Sequence, residues 1–136
     1  MTPTVKGRHQ TRLFLTLFVG VPVSIPFCLF VGLFPLAVLV LVLLVGLVLD
    51  HWYDQIQKRR WDHDWPVHWQ VKAGFLEFGA LVAALVMVGA QLRGAMIMIL
   101  PMHYFTVWIV QFALLQGPIR VLFPAWRYNG GRIQRT

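Results

Sequence analysis

Asp50–Lys72, DHWYDQIQKRRWDHDWPVHWQVK, is the only long polar run in the interior of the chain. It holds four of the five acids, three of the five histidines and four of the six tryptophans. Long apolar segments flank it on both sides. Upstream, no Asp, Glu, Lys, Arg or His occurs between Leu13 and Leu49. About 20 such residues suffice to span a bilayer as a helix. The chain is 58% hydrophobic and only 12% charged, about half the charged fraction of a soluble domain. These features exclude a water-soluble domain and predict an all-α, polytopic membrane protein. Its four transmembrane helices form two hairpins joined by the polar, Trp-rich interfacial loop.

Residues 13–49 are too long for one span. As one helix they would reach about 55 Å, against a hydrocarbon core of roughly 30 Å. The break is expected at Gly32-Leu33-Phe34-Pro35. Gly frees the backbone there, and Pro suits the first turn of a new helix. The reading is a single membrane domain over 1–136. It has a basic cytoplasmic tail at 1–12, spans at 13–31, 35–50, 71–90 and 95–116, the polar loop at 51–70, and a basic interfacial tail at 117–136. Pro22 and Pro26 should kink the first span. The second helix is a candidate to continue into the loop, with a turn at 61–65 and a new helix near Trp65 and Pro66. Asn129-Gly130-Gly131 is where the C-terminal tail is expected to fray.

With both termini and the loop on one side, eleven of the twelve Lys and Arg residues share that side, and only Arg93 lies opposite. Basic residues collect on the cytoplasmic flanks of spans, so N-in and C-in is the expected orientation, in a cell or virion membrane. The net charge of +7 is explained this way. Nucleic acid remains a possible partner that nothing indicates. One cysteine, Cys28, lies in an apolar run, which leaves no disulfide framework and no Cys-based zinc site.

Five sets of residues are candidates for function. Asp50, His51, Asp54, His63 and His68, with Asp62 and Asp64 beside them, are the candidate metal ligands. Carboxylate and imidazole together hold zinc-like ions, and an open position on such an ion activates water. Trp52, Trp61, Trp65, Trp69 and Trp126 are the expected membrane-interface residues, since an indole prefers headgroup depth. Gly79, Ala80, Ala83 and Ala84 have the small-xxx-small spacing that lets helices pack closely in lipid. Lys58, Arg59, Arg60, Arg127, Arg132 and Arg135 are expected to meet anionic lipids or a partner. Within the spans, Glu77, His103 and Gln111, with Gln116, are polar groups available to bond across helices, and an ionisable residue there is a functional candidate by default.

Leu49-Asp50-His51 is similar to half of the Pro-Asp-Ile-Asp-His motif of membrane-bound metal-dependent hydrolases. Asp62-His63-Asp64 departs from their second motif. That resemblance implies a hydrolase using the Asp/His loop 50–68. In size, four spans, Arg-rich composition and basic inward-facing termini, the whole chain resembles the internal membrane proteins of haloarchaeal pleomorphic viruses. This second resemblance lies in the hydropathy profile. It implies a structural role in a virion envelope; the cellular counterpart is an accessory subunit of a membrane complex. The expectation is a scaffold acting through helix packing and a basic inner surface, as a homo-oligomer or a subunit, with no enzyme activity and no cofactor.

Overall fold

The computed structural model describes residues 2–133. Its helices are α1 (Val5–Leu15), α2 (Val21–Val31), α3 (Phe34–Arg59), α4 (Val67–Met87), α5 (Ala95–Gln116), α6 (Pro118–Leu122) and α7 (Pro124–Tyr128). A π-helical turn, Thr16–Gly20, joins α1 to α2. Four helical segments are long and apolar enough to cross a membrane: Val5–Val31, Phe34–Arg59, Val67–Met87 and Ala95–Leu122. No strand occurs among the described residues. The chain is an all-α polytopic membrane protein.

The break between the first two spans lies where glycine and proline predict it. α2 stops at Val31, Gly32 takes φ 64°, and Pro35 occupies the first turn of α3. The irregularity of the first span lies just upstream of its prolines. Pro22 has no N–H to donate, and the turn before it is widened so that the Val21 N–H reaches Thr16 O. Such π turns are a recognised way for a helix to bend.

The first span begins earlier than expected. Residues 5–12 form the opening turns of α1, with Thr4 as N-cap accepting the Gly7 N–H at 3.2 Å. They are not a free tail. α3 likewise runs on through Asp50 to Arg59 and carries half of the polar stretch on a helix. α4 starts at Val67 and ends at Met87.

α3 is the central element, touching α1, α2, α4 and α5. The main core gathers Val38 from α3, Leu81 and Leu85 from α4, and Leu100 and Tyr104 from α5. A second cluster joins Leu15 of α1 to Ile119 and Trp126 of the C-terminal segment. Most of the remaining large apolar residues point outward, among them Leu29, Phe30, Val48, Phe75 and Met98. Lipid replaces water around such a surface, so packing and interhelical polar bonds must hold the bundle together.

The C-terminal segment closes against α1 instead of fraying. Thr4 N–H donates to Gly130 O at 2.8 Å, and Thr11 Oγ1 donates to Gly131 O at 2.8 Å. Trp126 Nε1 donates to Thr11 Oγ1 at 2.9 Å. Gly7 permits this approach, because a β-carbon there would collide with the Gly130 carbonyl. Trp126, expected at the membrane interface, is instead buried at 6% exposure. The N-terminal turn, the C-terminal segment and the 60–66 loop therefore lie together at one end of the bundle.

Candidate functional site: a charged centre and its cavity

Three helices each contribute one charge to a point just inside that end. Arg12 comes from α1, Asp50 from α3 and Glu77 from α4. Arg12 Nε and Nη2 donate to Asp50 Oδ2 and Oδ1 at 3.0 and 2.9 Å. Nη1 and Nη2 donate to Glu77 Oε2 and Oε1 at 3.1 and 2.8 Å. All four carboxylate oxygens are thus occupied by one guanidinium. Asp50 is 2% exposed and Glu77 8%. The planar, forked guanidinium suits such double bidentate binding, and a lysine would not reproduce it.

Local sequence makes room for the clamp. Asp50 follows Gly46 by one helical turn, and a β-carbon at Gly46 would fall inside the Arg12 guanidinium. Leu81 and Leu85 continue the buried stripe of α4 beyond Glu77, and Gly74 precedes it. Farther along the bundle, His103 is 2% exposed and meets Ser24 Oγ at 2.7 Å. Ser24 donates its own proton to Gly20 O at 2.7 Å. The His103 contact is therefore a donation from Nε2, and Nδ1 is left without a partner.

Arg8 lies one turn before Arg12. It donates to Gln57 Oε1 at 2.7 Å and stacks over Trp65 with its carbon 4.3 Å from the ring centroid. Gln57 passes the connection on, donating to His63 O at 2.9 Å. The loop is thus tied to α1 by a helical glutamine. A cavity of about 170 Å³ opens beside these residues, bounded by α1, the loop-facing ends of α3, α4 and α5, and α6. Arg8, Arg12, Asp50, Glu77 and Arg120 are its charged wall.

The expected metal ligands are dispersed. Asp50 is consumed by Arg12. Asp54 pairs with Lys58 at 2.6 Å. His51 is exposed and donates from Nδ1 to Leu47 O, while His63 and His68 point to the outside. Among the described residues no group of three or more His, Cys, Asp or Glu side chains could hold a metal ion. Asp62 pairs with Arg60 at 3.0 Å, and that hydrogen-bonded pairing, together with the Asp64 N–H, lowers its carboxyl to about 2.

The other expected residues divide. Trp52 and Trp61 are exposed as an interfacial role requires, whereas Trp65 and Trp69 are half-buried beneath Arg8, Arg60 and Lys72. Gly79 and Ala83 face outward, and Gly79 has open space where a side chain would go. Ala80 and Ala84 are half-buried. Packing inside this chain uses the Gly74–Glu77–Leu81–Leu85 face instead, because that face carries the Arg12 partner. Lys58, Arg59 and Arg127 are exposed, Arg60 and Arg132 half-buried, and Arg135 lies outside the described residues. Gln111 lines the cavity, and Gln116 donates to Gln70 Oε1 at 3.0 Å.

Glu77 meets neither His103 nor a glutamine; its partner is Arg12. The charge asymmetry alone accounts for Arg8 and Arg12 as topology determinants. A signal for them exists in the sequence. Arg8 and Arg12 are spaced for one helix face, as are Gly46, Asp50, Asp54 and Gln57. Two lone acids at the borders of apolar runs require a cation. No family model, curated protein or solved structure matches the chain.

Proposed function

We propose that the protein is a structural component of a membrane assembly, a virion envelope or a multi-subunit membrane complex. Its role is to fill the bilayer with a rigid helix bundle and to present a basic face on the inner side. One observation carries this reading. The acids Asp50 and Glu77 between the helices are spent on one arginine, with all four of their oxygens on Arg12. A hydrolase needs a free base or a metal-bound water, and a carrier needs a chain of exchangeable groups. The centre offers a clamp. The outward Gly79 and Ala83, with the exposed Lys58, Arg59 and Arg127, suit contact with a second subunit and with anionic lipid. The first turn of α1, the segment after α7 and the loop share one end, which agrees with the N-in, C-in orientation that the basic residues favour.

The test is extraction of native membranes in mild detergent after cross-linking. The chain of 15.6 kDa should run in a particle of fixed, larger stoichiometry. Recovery of monomer alone, together with stoichiometric zinc or manganese by elemental analysis, would overturn the structural reading in favour of the hydrolase.

A further inference from the structure

The cavity beside the charged centre is lined by more cations than anions among the described residues. Its wall carries three guanidinium groups, Arg8, Arg12 and Arg120, against two carboxylates, Asp50 and Glu77. Both carboxylates are fully engaged by Arg12. Arg8 gives one N–H to Gln57, but its Nε is buried with no hydrogen-bond partner. Arg120 Nε is buried and unpartnered as well. No described acid pairs with Arg120. A buried donor left without an acceptor costs about 1–3 kcal/mol, more when it is charged. With three guanidinium groups and two carboxylates, the described wall carries one positive charge in excess.

The space admits one. At about 170 Å³ the cavity resembles in size the engineered cavity of about 150 Å³ in another protein that holds benzene. Its wall is mixed. Arg8, Gln70, Gln116 and Arg120 are among its polar residues, and Leu15, Trp108, Phe112 and Leu115 among its apolar ones. The Arg12–Asp50–Glu77 centre carries one net negative charge, and Arg8 and Arg120 bring the wall as a whole to a positive one. Phosphate oxygens are the acceptors that guanidinium forks match best. Basic pockets between membrane helices, near headgroup depth, are suited to anionic headgroups.

We propose that this cavity is a binding site for a phosphate-bearing anion held between Arg8 and Arg120. The anion is either the headgroup of an acidic phospholipid, whose first carbons would lie against Trp108 and Phe112, or a free phosphate ion. The site is independent of the scaffold role, and either stands without the other.

The test uses the full chain in an uncharged maltoside detergent at constant ionic strength. Trp65, Trp108 and Trp126 line the cavity, so tryptophan emission reports its occupancy. Dihexanoyl phosphatidylglycerol and inorganic phosphate are titrated separately. A saturable response to the lipid that is weakened at least about tenfold in R120Q, the loss of one charged hydrogen bond, supports the site with a headgroup as ligand. The same behaviour with inorganic phosphate at comparable concentration supports it with the free ion. Arg120 makes no side-chain hydrogen bond or ion pair with the described protein, so R120Q removes no internal polar bond and carries the test even where R8Q fails to fold. Absence of a saturable response to either probe would overturn the proposal. Equal weakening by R59Q, at an exposed position, would overturn it as well, because the attraction would then be diffuse.

Discussion

Arg12 crosses α3 directly over Gly46, and the guanidinium occupies the volume that a side chain at position 46 would need. The most constrained charge in the bundle is therefore seated by the absence of a methyl group. Alanine is normally the better helix former by about 1 kcal/mol. At Gly46 the sign should reverse, because Arg12 is pinned by four hydrogen bonds and cannot step aside without breaking some of them.

Gly46→Ala should accordingly lower the melting temperature in mild detergent. Gly79→Ala serves as the internal comparison, since nothing lies within reach of a β-carbon there. It should leave melting unchanged or raise it. Equal effects at the two positions would refute the seating of Arg12 over Gly46.

The clamp itself is open to a charge cycle. Arg12→Met alone leaves Asp50 and Glu77 facing each other without a cation. Breaking a buried pair in this way costs about 3–5 kcal/mol. Adding Asp50→Asn and Glu77→Gln to Arg12→Met removes the stranded charges and should restore much of the loss. Denaturant unfolding of the three proteins, the unchanged chain, Arg12→Met and the triple variant, in detergent measures both steps. A triple variant less stable than Arg12→Met would show that the carboxylates contribute apart from Arg12.

The seal between the ends of the chain runs through one hydroxyl. Thr11 Oγ1 accepts from Trp126 and donates to Gly131. Thr11→Val keeps the shape and removes both bonds, leaving a buried indole N–H and a carbonyl unsatisfied. Each such loss is worth about 1–3 kcal/mol. Trypsin should then cut faster after the half-buried Arg132, with cutting after the exposed Arg59 unchanged. Unaltered cleavage at Arg132 would mean that the seal does not depend on this hydroxyl.

The loop turn should respond to acid. Asp62 is lowered from the ordinary 3.8 to about 2 by its hydrogen bonds with Arg60 and the Asp64 N–H. A lowered carboxyl stabilises the folded turn above the ordinary value. That contribution declines as pH falls below about 4 and is lost once pH passes through 2. Amide hydrogen exchange at 60–64, corrected for the intrinsic pH dependence, should accelerate over that window. Asp62→Asn should abolish the change.

Span boundaries were legible where a local rule decides them. Gly32 and Pro35 end and restart a helix whatever surrounds them, and Gly94 precedes α5 at the expected Ala95. Arg8 and Arg12 were harder, because a basic residue beside an apolar run has a sufficient local explanation in topology. Only the pairing of α1 with α3 and α4 reveals the second role. Trp126 and Gly130-Gly131 were missed for the same reason. Their partners, Thr11 and Thr4, lie at the opposite end of the sequence, and nothing in a tail of alternating apolar and basic residues announces such a docking.

The order in which the chain is made gives Arg12 a history. It leaves the ribosome before either carboxylate exists, and an unaccompanied arginine disfavours membrane entry by roughly 2.5–3.5 kcal/mol at the centre of a helix, less near its end. The first helix therefore has reason to wait near the surface until the third delivers Glu77. It cannot be latched until the Gly130 and Gly131 carbonyls arrive to meet Thr4 and Thr11. Maturation of this bundle is consequently a late event, completed only once α7 and the glycines that follow it have been made.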